Sequence, residues 1–191
     1  RVYNYSFGVS ASTKIYGMFR FRSEALKAIR HVITPTVSYS LTPDFSAEKY
    51  GYYGTYKKNS DGDLATYSYF EKGIYGVPSS QRQSSLSFSI GNNLEAKVRS
   101  KTDTVTGTKK IKLIENLSIN GSYNFAADSL KMSLINVSGY STILNRFTIR
   151  YSASFDPYAI GVKSTSTGIT QVRVNNYMID RYGTLWRKTQ D

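Results

Sequence analysis

The chain has 191 residues and is 40% apolar, and its 17 Tyr, nine Phe and one Trp supply too much aromatic surface for a chain that stays unfolded. The rest is heavy in Ser, Thr, Asn and Gly with only four Pro, which fits strands joined by polar turns better than helices, so an all-β fold is the first expectation. The lack of cysteine excludes a disulfide framework and a thiolate metal site, while a net charge of +12 from 25 Lys and Arg against 13 Asp and Glu points to anionic partners.

No apolar run is long enough for a membrane-spanning helix, so passage through a membrane would have to use strands. Residues 3–21 alternate with few exceptions: Tyr3, Tyr5, Phe7, Val9, Ala11, Thr13, Ile15, Gly17, Phe19 and Phe21 share one face, and Asn4, Ser6, Gly8, Ser10, Ser12, Lys14, Tyr16, Met18, Arg20 and Arg22 share the other. Successive strand side chains point to opposite faces, so this predicts one long strand, straight or slightly bent. Soluble strands usually run to about five or six residues. The apolar face carries aromatics at both ends, and Phe7 to Phe19 at roughly 3.3 Å per residue and a tilt of about 40° spans on the order of 30 Å, a bilayer's hydrocarbon thickness. Position 1 falls close to this pattern, so the chain is expected to be part of a larger protein.

Residues 23–31 are expected to form a turn, with Ala25, Leu26, Ala28 and Ile29 at the period of one helical turn across Ser23–Arg30. A second strand has Ile33, Pro35, Val37, Tyr39 and Leu41 against Thr34, Thr36, Ser38 and Ser40. Residues 43–83 form the longest connection, with seven tyrosines and Asn59-Ser60-Asp61-Gly62-Asp63 in its middle. The next strand sets Leu86, Phe88, Ile90, Leu94, Ala96 and Val98 against Ser87, Ser89, Gly91, Glu95, Lys97 and Arg99. After a turn at 101–109, Ile111, Leu113, Leu117, Ile119, Tyr123 and Phe125 oppose Lys112, Ser118, Asn120, Ser122 and Asn124. Phe147, Ile149, Tyr151, Ala153 and Phe155 later oppose Thr148, Arg150, Ser152 and Ser154. Weaker patterns cover 132–143 and 169–179, the latter on Val172, Val174 and Met178, which brings the expected count to about seven strands.

Long and short connections alternate, as in bacterial barrels with long outer loops and short periplasmic turns. That places 43–83, 126–131 and 156–168 outside, and 23–31, 101–109 and 144–146 in the periplasm. The faces then divide into lipid-facing candidates, Tyr5, Phe7, Val9, Ile15, Phe19, Phe88, Ile90, Ile119, Phe147 and Ile149, and lumen-facing candidates, Ser10, Ser12, Lys14, Arg20, Lys97, Arg99, Asn120, Arg150 and Ser152. Asn92 and Glu115 break the rule by falling on apolar faces. A bulge that resets the register, or a position near the membrane interface, accounts for both better than a shared hydrogen bond or a contact with a partner protein.

The means for catalysis are few, and no cofactor or metal is expected. His31 is the single histidine, and no Ser-x-x-Lys, nucleophile elbow, Walker loop or histidine metal pair occurs, so His31 reads as an interfacial or turn-capping group and the chain as no enzyme. Asp61-Gly62-Asp63 lacks the later glutamate of a calcium loop and reads as a loop tip. The cations are scattered over polar faces and turns instead of forming a stripe with a reading element, so nucleic acid is not an expected partner.

Five segments carry a family resemblance: Ile29-Arg30-His31-Val32-Ile33-Thr34-Pro35-Thr36-Val37-Ser38-Tyr39 with Pro43-Asp44-Phe45, then Asn92-Asn93-Leu94-Glu95, Ser122-Tyr123-Asn124-Phe125-Ala126-Ala127-Asp128-Ser129 and Phe155-Asp156-Pro157-Tyr158-Ala159. In this order they resemble the barrel of the LptD family, which assembles lipopolysaccharide in the Gram-negative outer membrane. The resemblance implies a very large transmembrane barrel that receives lipopolysaccharide from a periplasmic bridge and inserts it into the outer leaflet, with an LptE-like lipoprotein in its lumen. It brings no catalytic residues, and about seven strands cannot close such a barrel. No lateral-gate residue is carried over, because the stretch reads as mid-barrel. A general porin or nutrient transporter and a soluble all-β binding protein are the alternatives; the soluble reading leaves long apolar faces uncovered.

Overall fold

A computed structural model describes residues 2–59, 62–100, 106–143, 146–165 and 168–189. The strands are β1 (Phe7–Ser12), β2 (Ile15–Arg20), β3 (Leu26–Thr42), β4 (Tyr53–Lys57), β5 (Leu64–Ser68), β6 (Gln83–Arg99), β7 (Thr108–Asn124), β8 (Ile135–Ile143), β9 (Phe147–Asp156), β10 (Tyr158–Thr165), β11 (Gly168–Tyr177) and β12 (Arg187–Lys188), with one short helix, α1 (Met178–Tyr182). The main sheet runs β1–β3–β6–β7–β8–β9–β12, with β2 also paired to β3, and every pairing is antiparallel. It is an open sheet. Two hairpins, β4–β5 and β10–β11, stand apart from it.

The predicted strand over 3–21 divides in two, and Pro35 is the reason. β1 and β2 follow one register along β3, Ser12 opposite Thr36 and Ile15 opposite Ile33. Between them Thr13 donates its N–H to the Pro35 carbonyl at 3.2 Å, but Pro35 has no N–H to return, so the ladder is interrupted there.

The expected turn and helical period over 23–31 are not what forms. β3 begins at Leu26, and the turn closes earlier, with Phe21 donating its N–H to the Lys27 carbonyl. The register against β6 slips between Leu26, opposite Val98, and Ala28, opposite Lys97. This bulge inserts one residue, so the apolar spacing at 25–29 imitates a helix.

The slip expected near Asn92 and Glu115 is present. β6 and β7 change register between Asn92 and Leu94 and again between Leu94 and Glu95. As a result Ile114, not Leu113, pairs with Leu94 on the apolar face. Glu115 accepts a hydrogen bond from Thr142 Oγ1 at 2.9 Å and pairs with Lys112 at 3.2 Å, both on the polar side.

The segment 156–168, expected as a loop, contains β10, and the strand pattern at 169–179 pairs with β10, not with the sheet. Met178 opens α1 instead of extending that strand. Pro157 sits where β9 gives way to β10. The long connection 43–83 likewise contains the β4–β5 hairpin and packs on itself. Phe45, fully buried, meets Tyr5 edge-on at 5.3 Å and lies 5.0 Å from Tyr50 and 6.2 Å from Tyr52.

β3, β7 and β9 end, and β6, β8 and β12 begin, at the end of the sheet that bears the long connections; β2, β6 and β8 end, and β3, β7 and β9 begin, at the other, the short-turn end. Residues 144 and 145, like Ser60, Asp61 and Asp103, lie outside the described residues. Among the described residues, the buried Phe45, Tyr52, Ser68, Pro78, Ser84, Asp156, Pro157, Tyr158 and Ala159 belong to the long-connection end, and Ala96 lies toward the other. Among the described residues the faces of the sheet carry no packed core.

Candidate functional site

Strand pairing turns the scattered alternation of the sequence into two continuous surfaces. Paired residues share a face. One row runs Ser12–Thr36–Ser89–Asn120–Asn136–Ser154, the next Thr34–Gly91–Ser118–Ser138–Ser152. Above them lie Ser10, Ser38, Ser87 and Ser122, again in register. Hydroxyls and amides bond across and along strands: Ser10 to Ser38 at 2.7 Å, Ser12 to Thr36 at 2.9 Å, Ser118 to Asn120 at 2.8 Å and Ser154 to Asn136 at 2.8 Å. Thr36, Ser38, Ser89, Asn120 and Asn136 border a shallow cavity of about 440 Å³. Ser10, Ser12, Asn120, Ser152 and, opposite Tyr140, Arg150 thus share one polar face. Lys14 lies at the break between β1 and β2.

Toward the short-turn end the same face becomes charged. Arg20–Ala28–Lys97–Lys110 form one row and Arg30–Glu95–Lys112 another, with Arg99 opposite Thr108 below. Arg30 pairs with Glu95 at 3.5 Å, and Arg99 with Glu24 at 2.6 Å on the exposed rim. In the sequence these cations look scattered. Only the register shows them gathered.

The opposite face carries the candidates for lipid contact. Val9–Tyr39–Leu86–Tyr123, Ala11–Val37–Phe88–Gly121, Pro35–Ile90–Ile119–Val137–Ala153 and Phe19–Ile29–Ala96–Ile111 are rows of one apolar surface. Phe7 pairs with Leu41, Ile15 with Ile33, Phe147 with Ile143, and Ile149 with Ser141. Phe7, Val9, Ile15, Phe19, Phe147 and Ile149 are each more than half exposed. Tyr5 sits past the end of β1 in the aromatic cluster of the long connection, its hydroxyl 3.1 Å from that of Tyr50.

One polar pair interrupts this surface. His31 Nε2 lies 3.2 Å from Asn92 Oδ1, and the Asn92 amide donates to the carbonyls of Ile90 and Leu117. His31 is therefore a mid-strand partner of Asn92, not a turn cap, and Asn92 does not reach Glu115. Asn93, on the polar face, donates to the Glu115 backbone carbonyl at 2.8 Å.

The resembling segments near the chain's end build a second centre. Asp156, 1% exposed, takes Arg173 Nε at 2.8 Å and Nη2 at 3.0 Å, Arg187 Nη2 at 3.0 Å and the Tyr158 N–H at 3.0 Å. Tyr158, also buried, accepts the Met132 N–H at 2.8 Å and stacks on Tyr177 at 4.9 Å. Its hydroxyl beside Tyr177, together with burial, pushes the Tyr177 phenol up to about 12. Leu130 donates its N–H to Asn175 at 3.0 Å, and Met178 donates to the Pro157 carbonyl at 2.8 Å. Asp156, Pro157 and Tyr158 thus bind the β10–β11 hairpin and the 125–134 connection to the end of β9. Where that connection leaves β7, Asn124 Oδ1 accepts the Ala126 N–H at 2.9 Å, and Asp128 follows two residues after Ala126. Nothing in the sequence alone points to Arg173 or Arg187 as the partners of Asp156.

Among the described residues His31, the single histidine, meets the Asn92 amide and no nucleophilic hydroxyl. Among the described residues no helix is long and apolar enough to cross a membrane, which leaves membrane passage by strands untouched.

A family model described as LptD protein matches residues 1–158. No curated protein and no solved structure matches the chain.

Proposed function

The chain belongs to the LptD family, a family of outer-membrane transport and assembly proteins and not of enzymes, and from that premise we propose that this sheet is part of the wall of a transmembrane barrel that carries lipopolysaccharide to the outer leaflet. The observation that carries the reading is the pair of opposed surfaces. A sheet with one face of Phe, Ile, Val and Leu open along strands as long as 17 residues needs an apolar solvent on that side. Its other face, built of Ser, Thr, Asn and Gly, suits water, sugars or a partner's surface. Curled with the polar face inward, the sheet would offer lipid the first and a wet lumen the second.

The end bearing the long connections is assigned to the cell exterior and the short-turn end to the periplasm. An LptE-like lipoprotein within the lumen and a periplasmic bridge delivering the glycolipid complete the proposed assembly. Depletion of the parent protein tests the function: newly made lipopolysaccharide should be stranded in the periplasm or inner membrane. Normal surface lipopolysaccharide with impaired uptake of a small solute would favour a porin instead, and recovery of the parent protein in the soluble fraction would defeat the barrel reading.

A further inference from the structure

Resting on the reading of the polar face as the lumen wall, we infer that its short-turn end holds a binding site for phosphoryl groups, through which the wall engages the phosphorylated head of its glycolipid. A cavity of about 500 Å³ opens here, and Arg20, Lys27, Arg30, Lys97 and Lys110, with Glu95, supply its charged lining. These cations come from β2, β3, β6 and β7, four strands brought side by side by the register. Lys27, the residue inserted by the bulge after Leu26, is part of this lining.

Two features distinguish this cluster from a solvated rim. Lys97 and Lys110 stand directly opposite one another across β6–β7, an arrangement of like charges that weakens a sheet unless an anion lies between them. Further, of the lining cations only Arg30 has a carboxylate partner, Glu95 at 3.5 Å; among the described residues Arg20, Lys27, Lys97 and Lys110 have none within 4 Å. The upper rows of the same face, Ser10 to Ser122 and Ser12 to Ser154, carry no charge. Positive charge is therefore concentrated toward one end of the face, beyond rows that carry none. Guanidinium forks and ammonium groups are the donors that phosphate oxygens take best.

The test compares the purified full-length parent protein, in detergent, with its Arg20→Gln, Lys97→Gln, Lys110→Gln triple variant. The control is Lys57→Gln, Lys58→Gln, which removes charge from the β4–β5 hairpin region only. The probes are a phosphorylated lipopolysaccharide, the same molecule dephosphorylated chemically, and inorganic pyrophosphate. The triple variant should bind the phosphorylated glycolipid about tenfold more weakly or worse, with a shallower salt dependence, while the control and the dephosphorylated probe show no such difference. With the Lys97–Lys110 repulsion gone, the triple variant should melt no lower than the parent when no anion is present. Equal binding of the phosphorylated probe by triple variant and parent overturns the inference. So does pyrophosphate displacing the glycolipid completely at equal concentration, which would make the site one for free phosphate. The underlying wall reading fails by a different result: cysteines at Ser10, Ser89 or Ser118 that do not react with a water-soluble thiol reagent.

Discussion

Tyr151 lies across Gly139 on the apolar face, its ring carbons 2.7 Å from where a methyl on Gly139 would sit, and its hydroxyl donates to the Asn116 carbonyl at 3.3 Å. The same methyl would collide with that carbonyl, a backbone atom that cannot swing aside as a ring can. The aromatic side chain covers the glycine and secures the residue where β7 recovers from its bulges. Gly139→Ala should therefore destabilise the sheet by roughly 1–3 kcal/mol even though it adds apolar surface to a strand. Tyr151→Phe, which keeps the ring, should cost only about 0.5–1.5 kcal/mol. Urea midpoints in detergent would check both, and a Gly139→Ala variant as stable as the parent would contradict the packing described.

Much of this sheet is legible in the sequence because one period-two pattern serves both strand and face. From Phe7 to Phe19, Ile33 to Leu41 and Leu86 to Val98, reading alternate residues gives the same two surfaces as the register. The pattern misleads where a residue is inserted: alternation alone puts Leu113 and Glu115 on the apolar face, and makes Ala25 to Ile29 a helical turn, because a bulge changes parity without changing composition. The charged end is illegible for another reason. Lys97 and Lys110 are neighbours only through pairing across a turn, and Arg20 joins them through two further strands. Asp156 stands out only by resemblance, since its arginines lie 17 and 31 residues away.

Cysteines at Phe7, Ile90 and Ile119 on one face, and at Ser10, Ser89 and Ser118 on the other, should divide cleanly. The first set should be labelled by a lipid-soluble reagent and the second by a water-soluble one, because each set is held to one face by its strand partners. Equal reactivity of the two sets toward the water-soluble reagent would remove the membrane assignment.

An epitope placed in the β4–β5 turn, after Asn59, should be reached by antibody on intact cells. The turn is the tip of a hairpin whose base is fixed by the Phe45–Tyr50–Tyr52 cluster, so insertion there should leave the sheet undisturbed. Detection only after permeabilising the outer membrane would reverse the orientation of every strand.

Asp156→Asn should loosen the outer hairpin without dissolving the sheet. The carboxylate is buried and shared by two guanidinium groups that are themselves about one-third exposed, so removing its charge should cost roughly 2–3 kcal/mol, below the full figure for a wholly buried pair. The loss should appear as faster proteolysis or hydrogen exchange within β10 and β11, while β3, β6 and β7 remain protected. Uniform loss of protection across all strands would mean that Asp156 supports the whole sheet.

The upper polar rows and the charged end of the wall make different demands on what passes. Photocrosslinkers at Ser10, Ser12, Asn120 and Ser152 project from rows that carry hydroxyls and amides, groups that exchange hydrogen bonds with sugars or with a folded partner at little cost. In living cells they should capture the luminal lipoprotein or lipopolysaccharide. The same probe at Ile90 or Ile149, on the opposite face, should capture neither. If one saccharide chain travels along the wall, Ser12 and Ser152 should give matching adducts, since the two adjacent rows that contain them cross the sheet from β3 to β9 without a charged residue. Adducts confined to small solutes, or none with lipopolysaccharide while Ile90 labels strongly, would turn the wall inside out and end the translocation reading.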